Sequence, residues 1–397
     1  MELREQASVM VTELPHPRSD AGASSIDSSS SHSKPSLNAL TGLRFFAAMG
    51  VVFYHFALPI LKGRSYVFLN IASDGYIAVD LFYLLSGFIL TYSYLSREGT
   101  LLGTRRNFYV SRFARIYPAY LLAFIMAAPS DIATSLHVNR LPIAIVKLLI
   151  NGGLVLTLQQ AWTPWTAWSW NYPAWSVSVE VFFYLLFPWI GIRLAKLRPT
   201  SAFRLAGLLW LLALLAPFAL WMTKGTTAPP ASGDHLQMAI EFTPIFRLPE
   251  FMIGILLGRA YVLGQFRRFN GSWMVSVAAV SIFVVLAFCP FIPHPLLANG
   301  LIAPLFALLI AGLAQGRGLV AWFLSLPFMV ILGEASYGIY ILQLPLALLL
   351  MAPPPYHSAR MLGFYCSMLV LCSVLSWHFV ETPLRINIKR RLSKSSQ

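Results

Sequence analysis

The stretch LTGLRFFAAMGVVFYHFALPI, residues 40–60, decides the fold class of this chain. It is long enough to cross a bilayer as one helix, which takes about 20 mostly apolar residues. Two ionisable side chains, Arg44 and His55, interrupt it. Because an ionisable group inside a membrane span is costly and by default marks a functional site, the stretch predicts a transmembrane helix that carries part of a site.

Apolar runs of similar length fill most of the chain. Of its 397 residues, 57% are hydrophobic and only 11% are charged, whereas a soluble domain has about 25% charged residues. A soluble globular enzyme is therefore a poor fit, and the predicted fold class is an all-α, polytopic bundle of transmembrane helices. After residues 40–60, the runs cover 74–95, 107–128, 142–159, 175–194, 203–222, 243–262, 273–290, 297–315, 326–351 and 361–381.

Basic residues between the runs predict the topology, because cytoplasmic loops are rich in Lys and Arg. Basic gaps precede the third run and follow the fifth, the seventh and the last. These gaps lie on one side only if one of the three runs from 107 to 194 does not cross. The run 142–159 is short and contains Lys147 and a Gly152-Gly153 pair, so we predict that it is re-entrant or interfacial. The result is about ten crossings, with both termini in the cytoplasm.

The ends of the chain differ in composition from its middle. Residues 1–38 are Ser-rich and nearly free of large apolar side chains, so they predict a disordered cytosolic tail. Residues 39–385 form the predicted transmembrane domain, and residues 386–397 form a basic cytosolic tail. The formal net charge is +14, but the basic residues cluster between apolar runs as they do in membrane proteins. Nucleic-acid binding is therefore not expected.

The cysteines show no pattern of a metal site or a disulfide framework. Cys289, Cys366 and Cys372 all lie inside apolar runs, where a free cysteine usually serves helix packing. We therefore expect no metal site.

Arg44 and His55 share one face of the first predicted helix. Eleven steps of 100° make three turns and about 20°, and a rise of about 1.5 Å per residue separates the two side chains by roughly 16 Å along the axis. The face thus carries a cation at the cytoplasmic end and an imidazole in the outer half of the membrane. A snorkelling arginine and a packed histidine are the structural alternative.

Two carboxylates are predicted to lie at a depth similar to that of His55. Asp80 falls in the first third of the second run and Glu180 near the start of the fifth, and both runs enter from outside. A carboxylate at this depth can hold an imidazole tautomer and stabilise its protonated form. It can equally be the structural partner of a buried donor.

Arg112 and Arg115 stand at the cytoplasmic entrance of the third run. Residues three apart lie on one helix face, and two guanidinium groups together suit phosphate, because each offers a planar fork of donors. The alternative is that they only orient the helix through their charge.

Aromatic and polar side chains supply candidates for binding an acceptor. The uncharged loop before the fifth run is rich in tryptophan; these rings can stack on sugars, although membrane interfaces also attract Trp. Later, Arg247 and Glu250 have the spacing of an ion pair, and a polar strip follows near residue 340. The acceptor-binding candidates are Trp168, Trp170, Trp175, Tyr337 and Gln343.

Read in order, these segments resemble acyltransferase family 3, a family of integral-membrane O-acyltransferases. No single segment is diagnostic, but the ordered set is specific and spans residues 38–385. The matching segments are GLRFFAAMGVVFYHF, GYIAVDLFYLLSGFIL, RFARIYPAY, WSVSVEVFFYLLFPW, FRLPEFMIGILLGR, LGEASYGIYILQLPL and FVETPLR.

The resemblance implies an activity and its partners. Members move an acyl group, often acetyl, from cytosolic acyl-coenzyme A to an extracytoplasmic hydroxyl on a polysaccharide, a lipid-linked glycan, peptidoglycan or a small natural product. For this chain, it implies a bacterial inner-membrane enzyme with acyl-CoA, in particular acetyl-CoA, as co-substrate and no permanently bound cofactor.

The resemblance also assigns roles to individual positions. It makes His55 the catalytic histidine, Arg44 its companion on the same helix, and Glu180 the acidic residue of a WSxxxE-like segment. It makes Arg112 and Arg115 the Arg-x-x-Arg pair that is linked to donor binding. The chain departs from the family at residue 343, where Gln replaces a His that many members have, which puts any proton-transfer role of that position in doubt.

These observations lead to one main hypothesis and three rivals. In the main hypothesis His55 is the general base on an acceptor hydroxyl, while Asp80 or Glu180 orients the imidazole or binds the acceptor. The first rival is a secondary transporter of a glycan or organic anion that uses the same buried charges. The others are a non-catalytic scaffold for glycan assembly and another class of membrane acyltransferase with an intramembrane histidine.

Overall fold

The computed structural model describes residues 36–63, 65–288, 290–350 and 358–394. The predicted tail through residue 35, Cys289 and the last three residues lie outside this range. Within it the chain forms α-helices, short 3₁₀ turns at Gly75–Ile77, Gln160–Trp162 and Tyr172–Ala174, a π turn at Trp377–Glu381, and no β-strand. The α-helices are α1 (Asn38–Phe56), α2 (Leu58–Leu61), α3 (Tyr66–Ser73), α4 (Ala78–Tyr94), α5 (Arg105–Val138), α6 (Leu141–Leu156), α7 (Trp175–Ala195), α8 (Pro199–Lys224), α9 (His235–Phe242), α10 (Pro244–Val262), α11 (Gly271–Phe288), α12 (His294–Leu297), α13 (Ala303–Ala314), α14 (Leu319–Leu324), α15 (Pro327–Glu334), α16 (Ser336–Leu350), α17 (Ala359–Ser376) and α18 (Thr382–Lys394).

Every apolar run predicted from the sequence overlaps at least one of these helices. Seven helical segments are long and apolar enough to cross a membrane by themselves: Asn38–Phe56, Tyr66–Tyr94, Arg105–Val138, Tyr172–Ala195, Pro199–Lys224, Gly271–Phe288 and Ala359–Leu392. An eighth possible span joins α15 and α16, which are bent by 52° at their junction. Over its described residues the chain is thus an all-helical, multi-pass membrane protein.

Three predicted runs fall short of a span for identifiable reasons. α10 has 19 residues, but Arg247, Glu250 and Arg259 make it too polar. α6 has 16 residues and α13 has 12, whereas a perpendicular span takes about 20. The shortness of α6 fits the re-entrant or interfacial segment expected there, and the total of ten crossings stays a prediction.

Some boundaries differ from the sequence prediction. α5 continues to Val138 rather than ending at 128, so its 34 residues extend for about 51 Å, well beyond a hydrocarbon core of about 30 Å. The basic segment from residue 386 is not a loose tail over its described part. It continues from the π turn as α18, which packs against α5.

α4 is the central helix of the bundle. In the segment Tyr66–Tyr94, 72% of the apolar window is buried, against 11% for the window in α5. α4 packs most closely against α10, where Gly87 faces the backbone of Phe251 and Gly254 faces the backbone of Leu84. A side chain at either glycine would collide with main-chain atoms of the other helix, so these glycines allow the close approach.

Candidate active site

Two cavities follow one another along the axes of α1, α4 and α7. The Arg cavity, about 460 Å³, is lined by Arg44, Arg112 and Arg115. The His cavity, about 800 Å³, is lined by His55. In α1, residues between 40 and 44 line the Arg cavity and residues between 51 and 55 line the His cavity. Arg44 and His55 therefore lie on one face of α1 but in different chambers.

A wall that includes Tyr340 separates the two cavities. Tyr340 and Val79 line both cavities. The Tyr340 hydroxyl donates to the carbonyl of Pro173 at 3.1 Å and lies 2.7 Å from the hydroxyl oxygen of Ser176. These bonds hold the phenol ring in place, so the chambers meet at a fixed aromatic side chain in mid-helix.

The arginines of the Arg cavity have few partners. Arg115 forms an ion pair of 2.9 Å with Glu334. Arg112 donates to the Tyr94 hydroxyl at 2.7 Å, and its buried Nε has no partner among the described residues. Both side chains line the same cavity, which agrees with the shared helix face that their spacing predicts. Donor groups therefore remain available to a bound anion.

Glu180 lies in the Arg cavity rather than beside His55. Its Oε1 accepts hydrogen bonds from Ser86 at 3.2 Å and from the hydroxyl of Tyr184, and it lines the chamber that holds the three arginines. The expectation that Glu180 contacts the imidazole is wrong in this geometry. Glu180 can instead balance one of the cations around it.

Gln343 orients His55. Nδ1 of His55 lies 2.8 Å from Oε1 of Gln343. The Nε2 of Gln343 donates to the carbonyl of Tyr340 at 2.7 Å, which fixes the amide so that only its oxygen faces the imidazole. Since that oxygen can only accept, Nδ1 must carry the proton, and Nε2 is left with its lone pair. The ring packs edge-on against Tyr172 at a centroid distance of 4.7 Å.

Asp80 belongs to a different cluster, and its expected contact with His55 is also wrong. It forms a buried ion pair with Arg247 and accepts the backbone N–H of Gly300 at 2.9 Å. Arg247 also pairs with Glu250 at 3.3 Å, as their spacing predicts, and donates to Asn299 at 2.9 Å. Asp80 is thus the structural partner of a buried donor, the second of the two roles that its position allowed.

The tryptophans in and after the loop before α7 have two different environments. Trp168 and Trp175 line the His cavity. Trp170 does not line it: its ring stacks on Phe124 at a centroid distance of 4.5 Å, and its Nε1 donates to the carbonyl of Phe124 at 2.9 Å. Trp170 therefore anchors the loop to α5, and the acceptor-binding role expected for it has no geometric support.

Tyr337 and Gln343, the other two acceptor candidates, also lie away from the open space of the His cavity. Tyr337 lines the Arg cavity, and its hydroxyl donates to the carbonyl of Ile116 at 3.1 Å. Gln343 is fully buried behind His55. In the polar strip, Tyr337 therefore faces the Arg cavity, whereas Gln343 supports the imidazole of His55.

A second histidine of the His cavity is absent from the sequence prediction. Nδ1 of His294 lies 3.2 Å from Oε1 of Glu241, which also accepts from Gln237 Nε2 at 2.9 Å. The His294 ring packs against Tyr76 at 4.2 Å. His294 lies between two prolines in a gap between apolar runs, 53 residues from Glu241, so no helical spacing pointed to the pair. Over the described residues, no group of His, Cys, Asp or Glu side chains is placed to hold a metal ion.

A family model described as an acyltransferase domain matches residues 37–378, which is most of the chain. Acyltransferase MdmB of Streptomyces mycarofaciens is 33% identical over 326 residues, covering 77% of this chain and 78% of that protein. The chain therefore belongs to acyltransferase family 3.

More distant relatives carry related names. A candidate O-acetyltransferase of Staphylococcus aureus is 22% identical over 87% of this chain and 57% of its own length. YrhL of Bacillus subtilis, named as a candidate peptidoglycan O-acetyltransferase, is 25% identical over 89% of this chain and 56% of its own length. The chain thus spans a little over half the length of these two relatives. No solved structure matches the chain.

Proposed function

We propose that the chain transfers an acyl group, in particular acetyl, from cytosolic acyl-CoA to a hydroxyl of an extracytoplasmic glycan or related acceptor. The observation that carries this proposal is the hydrogen bond from His55 to Gln343, which leaves Nε2 of His55 as the unprotonated ring nitrogen in a chamber of about 800 Å³. An imidazole held in one tautomer beside open space is the arrangement that general-base catalysis requires.

The Arg cavity supports the donor half of the proposal. Arg44, Arg112 and Arg115 face a chamber that also meets the wall at Tyr340. Coenzyme A carries a diphosphate on a long, thin pantetheine arm. Guanidinium groups suit phosphates, and the arm would extend past Tyr340 to bring the thioester to His55. In this arrangement the basic end faces the cytoplasm of a bacterial inner membrane, as the positive-inside rule predicts.

In the proposed reaction His55 is the general base. Nε2 of His55 removes the proton from the acceptor hydroxyl while its oxygen attacks the thioester carbonyl. The tetrahedral intermediate collapses, the carbon–sulfur bond breaks, and the coenzyme A thiolate takes the proton back from the imidazolium. Trp168 and Trp175 line the same chamber, and an indole ring is a side chain on which a sugar ring can stack. The products are the acylated acceptor and free coenzyme A.

Replacing the base tests the proposal. General-base help contributes about 10²- to 10⁴-fold to a rate, so His55→Ala should lose nearly all transfer while keeping its fold. The assay uses purified protein in proteoliposomes with acetyl-CoA and a mixture of peptidoglycan fragments and lipid-linked sugars. Thiol release and mass spectrometry of the acceptors are followed together. His137→Ala is the matched control, because His137 is exposed near the end of α5.

Two outcomes would contradict the proposal. His55→Ala working at nearly the wild-type rate would exclude the base role. Wild-type protein that moves a glycan or an anion across the membrane without releasing thiol would favour the secondary transporter instead.

A further inference from the structure

The C-terminal segment contributes a wall of its own to the Arg cavity. Three of its side chains line the chamber: Trp377 at the start of the π turn, and Arg385 and Lys389 on α18. We call these three residues the C-terminal wall. The sequence prediction treated the basic residues at this end only as orientation signals, and the FVETPLR segment had no role beyond the family resemblance.

The charges of the Arg cavity do not balance among its own residues. Five cations line it and two carboxylates face them, Glu180 and Glu334. Glu381, buried beside the C-terminal wall, adds one more negative charge, which still leaves the cations two ahead. The five cations are Arg44, Arg112, Arg115, Arg385 and Lys389. A chamber with this excess is suited to a ligand that carries several negative charges.

The π turn explains how one segment presents three donors to one chamber. Eight α-helical steps from Trp377 to Arg385 would leave the two side chains about 80° apart around the axis. The wider π turn at Trp377–Glu381 rotates less per residue, so it brings Arg385 closer to the face of Trp377. Such turns are frequently found at functional sites. The indole Nε1 of Trp377 is buried and has no partner among the described residues.

The cations are arranged by depth. The side chain of Arg115 is 17% exposed, Arg385 is half-buried, and Lys389 is exposed. A coenzyme A molecule that enters acyl end first would bring its diphosphate deep into the chamber and leave the ribose, with its 3′-phosphate, near the mouth. The order of charges along the donor thus matches the order of depth along the wall.

We propose that Arg385 and Lys389 bind the ribose 3′-phosphate of the donor and make the enzyme discriminate coenzyme A from 3′-dephospho-coenzyme A. This inference rests on the proposed function, since it takes acyl-CoA as the donor. It adds the C-terminal wall as the part that selects among nucleotide thioesters, while Arg112 and Arg115 hold the diphosphate.

Phosphate groups of lipids are another source of the same chemistry. α18 exposes the apolar side chains of Leu384, Ile386 and Leu392, and a helix of this kind can rest on the bilayer while its basic residues meet anionic headgroups. Since Arg385 and Lys389 also line the Arg cavity, we assign them to the soluble nucleotide. The experiment separates the two sources.

Direct binding tests the inference without any acceptor. Binding of coenzyme A and of 3′-dephospho-coenzyme A is measured by calorimetry on the full-length protein in neutral detergent. The wild-type protein should prefer coenzyme A by about tenfold, equivalent to about 1.4 kcal/mol. The double variant Arg385→Gln, Lys389→Gln should lose that preference and bind 3′-dephospho-coenzyme A as the wild type does. Arg391→Gln, an exposed position outside the cavity lining, is the control for lost charge and should keep the preference.

Each contrary result identifies what has failed. If the wild type binds neither nucleotide, the acyl-CoA donor is wrong and the inference falls with it. If the wild type and the double variant both keep the tenfold preference, the donor stands and the C-terminal wall does not read the 3′-phosphate. A double variant that keeps the preference but loses the gain in thermal stability that the wild type shows when phosphatidylglycerol is added to the neutral detergent would assign the two cations to lipid headgroups.

Discussion

Two groups of buried charges lie in this bundle, and they differ in how far protein groups neutralise them. Arg247 is held by protein groups: Asp80, Glu250, Asn299 and a backbone carbonyl bind it, and its side chain is only 2% exposed although it reaches the lining of the His cavity. The arginines of the Arg cavity face a chamber in which cations outnumber carboxylates. From the sequence alone both groups are ionisable residues in apolar helices, which the usual rule treats alike.

The comparison shows that burial alone does not identify a binding site. A buried charge whose partners all come from the protein has a structural task, because removing it leaves those partners uncompensated. A charge that faces open volume with too few partners can interact with a ligand. Asp80 thus leaves the candidate catalytic set because Arg247 holds it, and Gln343 enters it because it holds His55.

Removing the enclosed charge should have the largest effect on stability. Arg247→Ala leaves two buried carboxylates without a counter-ion, and breaking a buried pair costs about 3–5 kcal/mol. We expect a clear fall in the thermal unfolding midpoint of the detergent-solubilised protein, with a smaller yield of folded material. Arg360→Ala, an exposed arginine at the start of α17, should leave the midpoint unchanged. Equal midpoints for the two variants would show that the enclosed cluster does not support the fold.

Replacing the partner of His55 should have an intermediate effect that falls on the rate. Gln343→Leu leaves Nδ1 without an acceptor, a loss of about 1–3 kcal/mol for a buried group, so kcat should fall about tenfold to a hundredfold. The affinity for coenzyme A should stay the same, because Gln343 does not line the Arg cavity. Gln343→His, whose ring can again accept from Nδ1, should recover part of the loss. A Leu variant with unchanged kcat would remove Gln343 from the mechanism.

The tryptophan loop should give the smallest effect on transfer. Trp168→Ala removes one aromatic face from the His cavity, where such contacts contribute about 0.5–1.5 kcal/mol, so KM for the acceptor should rise about threefold to tenfold. Trp170→Ala is the matched comparison, since it removes the same side chain from a position outside the cavity lining. It should lower the thermal unfolding midpoint and leave the acceptor KM of the folded protein unchanged. If Trp170→Ala raised the acceptor KM and Trp168→Ala left it unchanged, the acceptor would not bind at Trp168.

What the sequence predicts well is local. The apolar runs correspond to helices because length and hydrophobicity alone decide whether a segment enters a membrane. Arg112 and Arg115 share a chamber because a spacing of three fixes their common face. Arg44 and His55 lie on one side of α1 for the same reason. Each of these inferences uses contacts within a single helix.

What the sequence misses depends on distant pairs. Gln343 reaches His55 across 288 positions, and Arg247 reaches Asp80 across 167. One sequence contains no signal that would choose Gln343 over Asp80 as the partner of the imidazole, since both lie at plausible depths. Trp170 was misassigned because it is the same residue type as Trp168 in the same loop. The direction of its side chain is set by packing against α5, which the sequence does not reveal.

If the chain works as proposed, the wall at Tyr340 also has an electrical consequence for the cell. An enzyme that accepts one substrate from each side of a membrane risks becoming a conduit for protons and small ions whenever its chambers join. Tyr340, tied to the carbonyl of Pro173 and to Ser176, keeps a phenol ring across that route. In the proposed reaction a slender pantetheine arm would pass beside this ring, whereas the wider hydrated ions would be held back, so that the membrane voltage would be kept.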